Sequence, residues 1–307
     1  MIGRVLVIKL GALGDFILAL GPFAAIRKAH KDAEITLLTT APFADLARAS
    51  GWFDAVWVDD RPSLLALWRW CTLRRRLRAG RFDRVYDLQT SDRSDWYFRL
   101  LGPGGRPEWC GRVRGCSHRH ANPRRDFMHT ADRQSDQLAV AGIREVPPPD
   151  LSWVKADVSR FGLTGRYALI VPGGAAHRPG KRWPATRYTE LAASLAARGL
   201  TPVVVGARQE APIAAEIAAD CAAARSLCGE TTIAEIAALA RGAAGAVGND
   251  TGPMHVIAAA GCPVLVLYSD DSDPALTRPV GPEVAILRRP RLADLPVAEV
   301  AAALRLR

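Results

Sequence analysis

Two turns in this chain carry residues suited to opposite tasks, one offering a carboxylate and the other offering amides for an anion. The first is Gly11-Ala12-Leu13-Gly14-Asp15, which follows the apolar run 4–10 and leads into residues 16–26. Asp15 falls at the start of a helix there, and Gly11 and Gly14 allow a substrate to approach the backbone closely. The second is Gly248-Asn249-Asp250-Thr251-Gly252-Pro253-Met254-His255, between an apolar strand candidate at 243–247 and an apolar helix continuation at 256–260. Amides around Thr251 and Gly252 then open a helix, where the first N–H groups lack intrahelical partners and the dipole adds positive charge. A phosphate suits that position.

The elements that hold these turns alternate strand and helix. In the first half, strand candidates at 4–10, 34–39, 55–58 and 85–88 are interleaved with helix candidates from Asp15 and at 43–49. Residues 102–125 show no regular pattern and read as a long loop, a binding-loop candidate by length. After Pro147-Pro148-Pro149 the alternation restarts, with strands at 167–171, 202–205, 246–247 and 264–268 and helices at 186–197, 211–219 and 233–240. This predicts two doubly wound α/β domains, 1–150 and 151–290, with 291–307 carrying a helix that packs back on the first domain. The 307 residues, 49% hydrophobic, suffice for two cores of about 150 residues each.

The chain carries 41 Lys+Arg against 31 Asp+Glu, a net charge of +10, so an anionic substrate or surface is expected. Arginines cluster at 68–78, a basic helix candidate with Trp68 and Trp70 interleaved, and at 106–125. The tryptophans point to a membrane surface, although a basic run is also an ordinary solvated face. No run approaches the length of a membrane helix and the N-terminus starts on a strand pattern, so a cytoplasmic location is expected. The cysteines at 71, 110, 116, 221, 228 and 262 show no CxxC spacing, and no disulfide is expected. Cys110, Cys116, His118 and His120 lie within one short stretch, but their spacing matches no common zinc motif, and no metal is assigned.

Two further boxes complete the set. Residues 172–184, Pro-Gly-Gly-Ala-Ala-His-Arg-Pro-Gly-Lys-Arg-Trp-Pro, have the make-up of an anion-binding loop in which Arg178 and Lys181 supply cations. Taken alone it also reads as a charged surface loop. The Lys9–Asp15 turn, Lys181-Arg182-Trp183-Pro184, the box Val205-Gly206-Ala207-Arg208-Gln209-Glu210 and Asn249–His255 occur in this order. Together, across nearly the whole chain, they closely resemble glycosyltransferase family 9, the lipopolysaccharide heptosyltransferases.

That resemblance implies a GT-B fold, two Rossmann-like domains facing a central cleft, with acceptor in the first and nucleotide-sugar in the second. It implies Asp15 as the general base on the acceptor hydroxyl, Lys181 with Asp250, Thr251 and Gly252 on the diphosphate of an ADP-sugar, and Glu210 on the nucleoside. An inverting transfer needs a carboxylate on one side of the anomeric carbon and positive charge on the other, and no metal or cofactor is then required. His255, one helical turn beyond Asp250, either reaches the donor site or packs beside the turn.

Arg112, Arg114 and Arg119 are acceptor-side candidates, with Arg124 and Arg125 nearby. The implied partners are an ADP-sugar, an anionic glycolipid acceptor and the cytoplasmic face of the inner membrane, without nucleic acid. Asp270, Asp271 and Asp273 form a DxD-like run that reads as a loop near the sugar or nucleotide, or as a metal site in other folds. The chain departs from the family in lacking hydroxyl side chains at Ala175-Ala176-His177 and a glycine in Ser269-Asp270-Asp271-Ser272.

Three other readings remain open. The first is a glycosyltransferase of the same fold that uses another nucleotide-sugar. A nicotinamide-dependent oxidoreductase would use a strand-Gly-helix turn, but Asp15 would repel a pyrophosphate and no full G-x-G-x-x-G is present. A nucleotide-binding protein without catalysis fits the charge, although no nucleic-acid recognition signature is seen.

Overall fold

The computed structural model describes residues 2–63, 65–102, 106–174 and 178–307, so the expectation for residues 175–177 lies outside the described residues. The chain divides into two compact units, residues 1–148 and 149–307.

In the first unit, six parallel strands are β1 (Arg4–Ile8), β2 (Glu34–Thr39), β3 (Ala55–Val58), β4 (Arg84–Asp87), β5 (Glu108–Gly111) and β6 (His118–Arg119). Their helices are α1 (Leu13–Leu18), α2 (Leu20–Ala29), α3 (Ala41–Ala49), α4 (Leu67–Ala79), α5 (Asp92–Leu101) and α6 (Thr130–Val140). The second unit holds β7 (Tyr167–Val171), β8 (Thr201–Val204), β9 (Arg225–Ser226), β10 (Gly245–Asn249), β11 (Val264–Tyr268) and β12 (Val284–Arg288). It also holds α7 (Ala185–Ala197), α8 (Ala211–Asp220), α9 (Ile233–Gly242), α10 (Gly252–Ala259), α11 (Pro274–Thr277) and α12 (Val297–Ala303).

The sheets run β3-β2-β1-β4-β5-β6 and β9-β8-β7-β10-β11-β12, the same order counted within each unit. That order reverses winding between the first and fourth strands, and the crevice at the carboxyl ends of those strands is where doubly wound sheets bind ligands. Register brings Leu6 beside both Thr36 and Val85, and Val247 beside both Ile170 and Leu265. Central strands such as β7 and β11 are buried along their whole length, as expected when helices cover both faces of a parallel sheet.

Local sequence sets several helix starts. Ser91 and Ser94 close a reciprocal cap on α5, and Thr232 with Glu235 does so on α9. Pro253 sits in the first turn of α10, where a missing N–H costs nothing.

Two expectations are corrected. The 102–125 stretch contains β5 and β6, which are too short for their pattern to show: β5 has four residues, with Trp109 and Cys110 buried, and β6 has two. The tail at 291–307 belongs to the second unit rather than packing on the first. Val300 and Leu304 of that tail join the core cluster that holds Trp183, Tyr188 and Leu195, Leu295 O accepts from Trp183 Nε1 at 3.0 Å, and Arg307 N donates to Ala244 O at 2.9 Å. Apolar spacing marks the helix but does not say which surface complements it.

The proline-rich segment docks on α2. A Cβ at Gly21 would lie 1.9 Å from the Pro147 carbonyl oxygen, so only glycine permits this approach. Gly21→Ala is therefore expected to lower the unfolding free energy by about 1–3 kcal/mol, the usual cost of overpacking. Thermal unfolding checks this; an unchanged midpoint would mean that the segment shifts freely.

Candidate functional site

At the switch point of the first unit, Lys9 follows β1 and is only 3% exposed. Its Nζ donates to Leu88 O, just past β4, at 3.2 Å, while Leu10 N donates to Gln89 Oε1 at 2.8 Å. Gln137 on α6 reaches the same place, donating through Nε2 to Asp87 O at 2.8 Å. Asp87 Oδ1 accepts from Gln89 N at 3.1 Å and Thr90 N at 2.9 Å, which holds Thr90 at a φ of 46° that β-branched residues rarely adopt. Burial raises the Asp87 carboxyl to about 6, partly offset by these amides.

Asp15 is half-buried in the first turn of α1. Burial drives the Lys9 ammonium below its ordinary value; the Asp15 and Asp87 carboxylates oppose that shift and Arg133 adds to it. Asp15 thus shares an electrostatic environment with a buried cation. Gly14 is half-buried, whereas Gly11 is buried at a φ of 127°, and a Cβ there would lie 3.0 Å from the Phe43 ring.

A cluster of arginines extends this positive field. Burial lowers Arg125, and the neighbouring charges of Arg133 and Arg112 push it in the same direction. Arg112, Arg125 and Arg133 each have a buried Nε with no acceptor within hydrogen-bond reach among the described residues. Uncompensated buried donors are costly, so an arriving anion would relieve both the missing hydrogen bonds and the mutual repulsion. Of the arginines named from sequence, Arg112 is here and also pairs with Asp92 and Asp95. Arg114 lies exposed between β5 and β6, and Arg119 is exposed in β6. The sequence marks neither Lys9 nor Arg133 for a role; Arg133 sits among polar residues of α6 without a motif around it.

At the switch point of the second unit, the corresponding role falls to Asn249, the last residue of β10 and fully buried. Its Nδ2 donates to Pro172 O at 2.8 Å and Gly173 O at 3.0 Å, and its Oδ1 accepts from Trp183 N at 3.0 Å and Tyr188 Oη at 2.9 Å. One amide therefore joins the ends of β7 and β10 to the Lys181–Pro184 box.

That box presents Lys181, whose Nζ donates to Asp250 Oδ2 at 2.7 Å with both side chains largely buried. Burial and the Asp250 charge together raise the Tyr268 phenol. Thr251 and Gly252 are half-buried at the start of α10; Pro253 has no N–H and Met254 N already donates to Thr251 O at 3.1 Å. Among the described residues, the amides of Thr251 and Gly252 are thus the ones left for an anion. Glu210 is buried against the glycine loop, where a Cβ at Gly173 would lie 2.9 Å from its Cγ. Arg178 is exposed, and His255 is buried within α10.

The DxD-like run serves separate structural ends. Asp270 pairs with Arg288 at 3.2 Å, Asp273 caps α11 through Ala275 N at 2.9 Å, and Asp271 lies against Gly180. In the Cys110–His120 stretch, Cys110 Sγ donates to Gln137 O at 3.3 Å and His120 bonds Asp136 at 2.8 Å. No group of three or more His, Cys, Asp or Glu side chains with metal-binding placement occurs among the described residues.

Two doubly wound units with the same strand order, an anion-suited turn at one switch point and a carboxylate at the other, have the GT-B fold. Residues 70–300 match the model of glycosyltransferase family 9 (heptosyltransferase), and the chain belongs to that family. It is 30% identical over 234 residues to lipopolysaccharide heptosyltransferase 2 of Escherichia coli, a match covering 69% of this chain and 66% of that relative. The structure of E. coli ADP-heptose lps heptosyltransferase II superposes with a TM-score of 0.81 at 23% identity, covering 98% of this chain and 97% of that one. The E. coli heptosyltransferase WaaC solved with ADP gives 0.76 at 21% identity over 97% and 98% of the two chains.

Asp87 makes stability depend on pH with a definite sign. Its folded value, about 6 against an ordinary 3.8, means that the folded state holds the proton more tightly. Stability is full below the ordinary value and falls as pH rises through about 6, by about 3 kcal/mol in all. Asp87→Asn keeps an acceptor for the Gln89 and Thr90 amides and should remove that slope, as read from denaturant unfolding across this range. A slope unchanged in the variant would mean that another group sets it.

Proposed function

We propose that this enzyme transfers a heptose, or a closely related sugar, from an ADP-sugar to the anionic core of a lipopolysaccharide acceptor, with inversion at the anomeric carbon. The reading rests on the contrast between the two switch points. One presents Asp15 amid positive charge, and the other presents Lys181 beside the free amides of α10. Membership of family 9 and the similarity to E. coli heptosyltransferases, one of them solved with ADP, support the sugar and the nucleotide.

Asp15 takes the proton of the acceptor hydroxyl as that oxygen attacks the anomeric carbon, and the bond from that carbon to the diphosphate breaks with both electrons leaving on ADP. A positioned carboxylate contributes about 10²–10⁴ in rate. The negative charge that develops on the leaving diphosphate is met by Lys181 and by the amides of Thr251 and Gly252. Asp250, an acceptor only, serves by orienting Lys181, which keeps two further N–H donors for phosphate oxygens. These groups supply the positive charge that a divalent cation brings elsewhere, so no cofactor is assigned.

Glu210 accepts hydrogen bonds from the nucleoside. Arg112, Arg125 and Arg133 bind acidic groups of the acceptor, with Arg114 and Arg119 at the rim. An acceptor anchored in lipid places the enzyme on the cytoplasmic face of the inner membrane.

Calorimetry with ADP, UDP, GDP and NAD, without added metal, tests the donor assignment. ADP is expected to bind selectively and Lys181→Ala to weaken it at least tenfold; preference for another nucleotide would replace the donor, and NAD binding alone would reject the reading. Asp15→Asn is expected to lower turnover by about 10²–10⁴ while leaving ADP affinity intact, as befits a general base. Turnover at the wild-type rate would remove Asp15 from that role. Arg133→Gln should raise the KM for acceptor without changing ADP affinity, and an unaltered KM would take the arginine cluster out of acceptor binding.

A further inference from the structure

We propose that the outward face of α4 docks this enzyme on an anionic lipid bilayer. Only Leu73 and Leu77 of this helix are buried. Residues 67, 68, 71, 74, 75 and 78 recur at helical spacing on the opposite face. That face is apolar at its start and cationic at its end: Leu67 is 71% exposed and Trp68 68%, and exposed Arg74, Arg75 and Arg78 follow. Leu65, just before the helix, is 93% exposed. Trp70, which the sequence suggested as a second anchor, turns inward toward Tyr97 and donates Nε1 to Ser63 O at 3.0 Å.

Neighbouring α5 extends the surface. Arg74 and Arg78 donate to Leu100 O at 2.9 Å and Leu101 O at 2.8 Å, and Trp96, half exposed, lies under the Arg99 guanidinium. Of the described residues, 65–68 thus hold three of the most exposed large apolar side chains, directly beside a helix with five arginines and no acidic residue.

Charge complementarity selects the occupant. A second copy meeting this face through a two-fold axis would set arginines against arginines in a chain already at +10. A nucleic acid would neutralise the arginines and leave Leu65 and Leu67 in water. An anionic bilayer satisfies both halves, with leucine and tryptophan at the headgroup boundary and guanidinium groups above the phosphates.

The inference rests on the proposed function for its lipid-anchored acceptor, but its test does not use catalysis. The full chain is sedimented with phosphatidylcholine vesicles, with and without phosphatidylglycerol, over a range of salt. Binding should require phosphatidylglycerol and weaken with salt, and Trp68→Ala combined with Arg75→Glu should lower it at least tenfold; one basic residue near such a surface is worth about fivefold. Brominated lipid should quench fluorescence in the wild type more than in Trp68→Ala. ADP calorimetry on the same samples should match the wild type, showing that the double variant is folded.

Absence of ADP binding in the wild type would fail the donor reading and leave the docking surface standing. Equal binding of wild type and double variant to anionic vesicles would overturn the surface. Binding that ignores phosphatidylglycerol would do so as well, as would a wild-type dimer that the substitutions dissociate or duplex DNA displacing the protein from vesicles at low stoichiometry.

Discussion

The structure depends on satisfying the backbone where neighbouring parallel strands send their chains to opposite faces of a sheet. Beyond that point the carbonyls leave the ladder while still buried, and each without a donor costs about 1–3 kcal/mol. Both units solve this with one buried side chain reaching across the switch point, Lys9 to Leu88 O in the first and Asn249 to Pro172 O and Gly173 O in the second. The two solutions differ in charge.

Asn249 is neutral and fully engaged, with two donors given and two hydrogen bonds accepted. It fixes the glycine loop, the start of the Lys181–Pro184 box and the β10 turn as one body while adding no net charge. The nearby cation is held separately, by the hydrogen bond of Lys181 to Asp250. Lys9, in contrast, buries a charge that needs compensation, and Asp15 and Asp87 supply it while Arg133 works against them. Two carboxyls stand around this one ammonium, and Arg112, Arg125 and Arg133 of the same unit each keep a buried Nε without an acceptor among the described residues. A neutral donor in place of Lys9 would satisfy Leu88 O but remove the cation that Asp15 faces.

Much of this is legible in the sequence because the turns lie between long, fully buried strands whose apolar runs stand out. The Lys9–Asp15 and Asn249–His255 boxes each begin where such a run ends, and glycine, asparagine and proline mark the change of direction. What was hidden depends on partners distant in sequence. Asn249 reads as a turn residue, but its importance comes from Trp183, Tyr188 and Pro172, more than 60 positions away. Arg133 looks like a surface residue of an amphipathic helix until the fold sets it near Lys9 and Arg125. The short β5 and β6 escape because pairing forms them, β5 on β4 and β6 on β5; their own periodicity does not. The tail fails for a related reason, since an apolar stripe states only that something must cover it.

The repeated strand order shows how one scaffold can divide a transfer reaction. Each sheet offers a single privileged place, outside the carboxyl ends of its first and fourth strands, and the scaffold is indifferent to what is placed there. A group transfer needs a base for the incoming oxygen and positive charge for the outgoing diphosphate, and these demands conflict within a single turn. A carboxylate close enough to serve as base would repel the phosphates, and a cation strong enough to hold them would weaken the base. In the proposed reaction, Asp15 at one switch point and Lys181 at the other would keep the conflicting charges apart, each with its own sheet and core. Within each unit an opposite charge stands near: Lys9 interacts electrostatically with Asp15, and Asp250 pairs with Lys181. The shared strand order thus leaves the polarity of the proposed reaction to the loops, without altering either core.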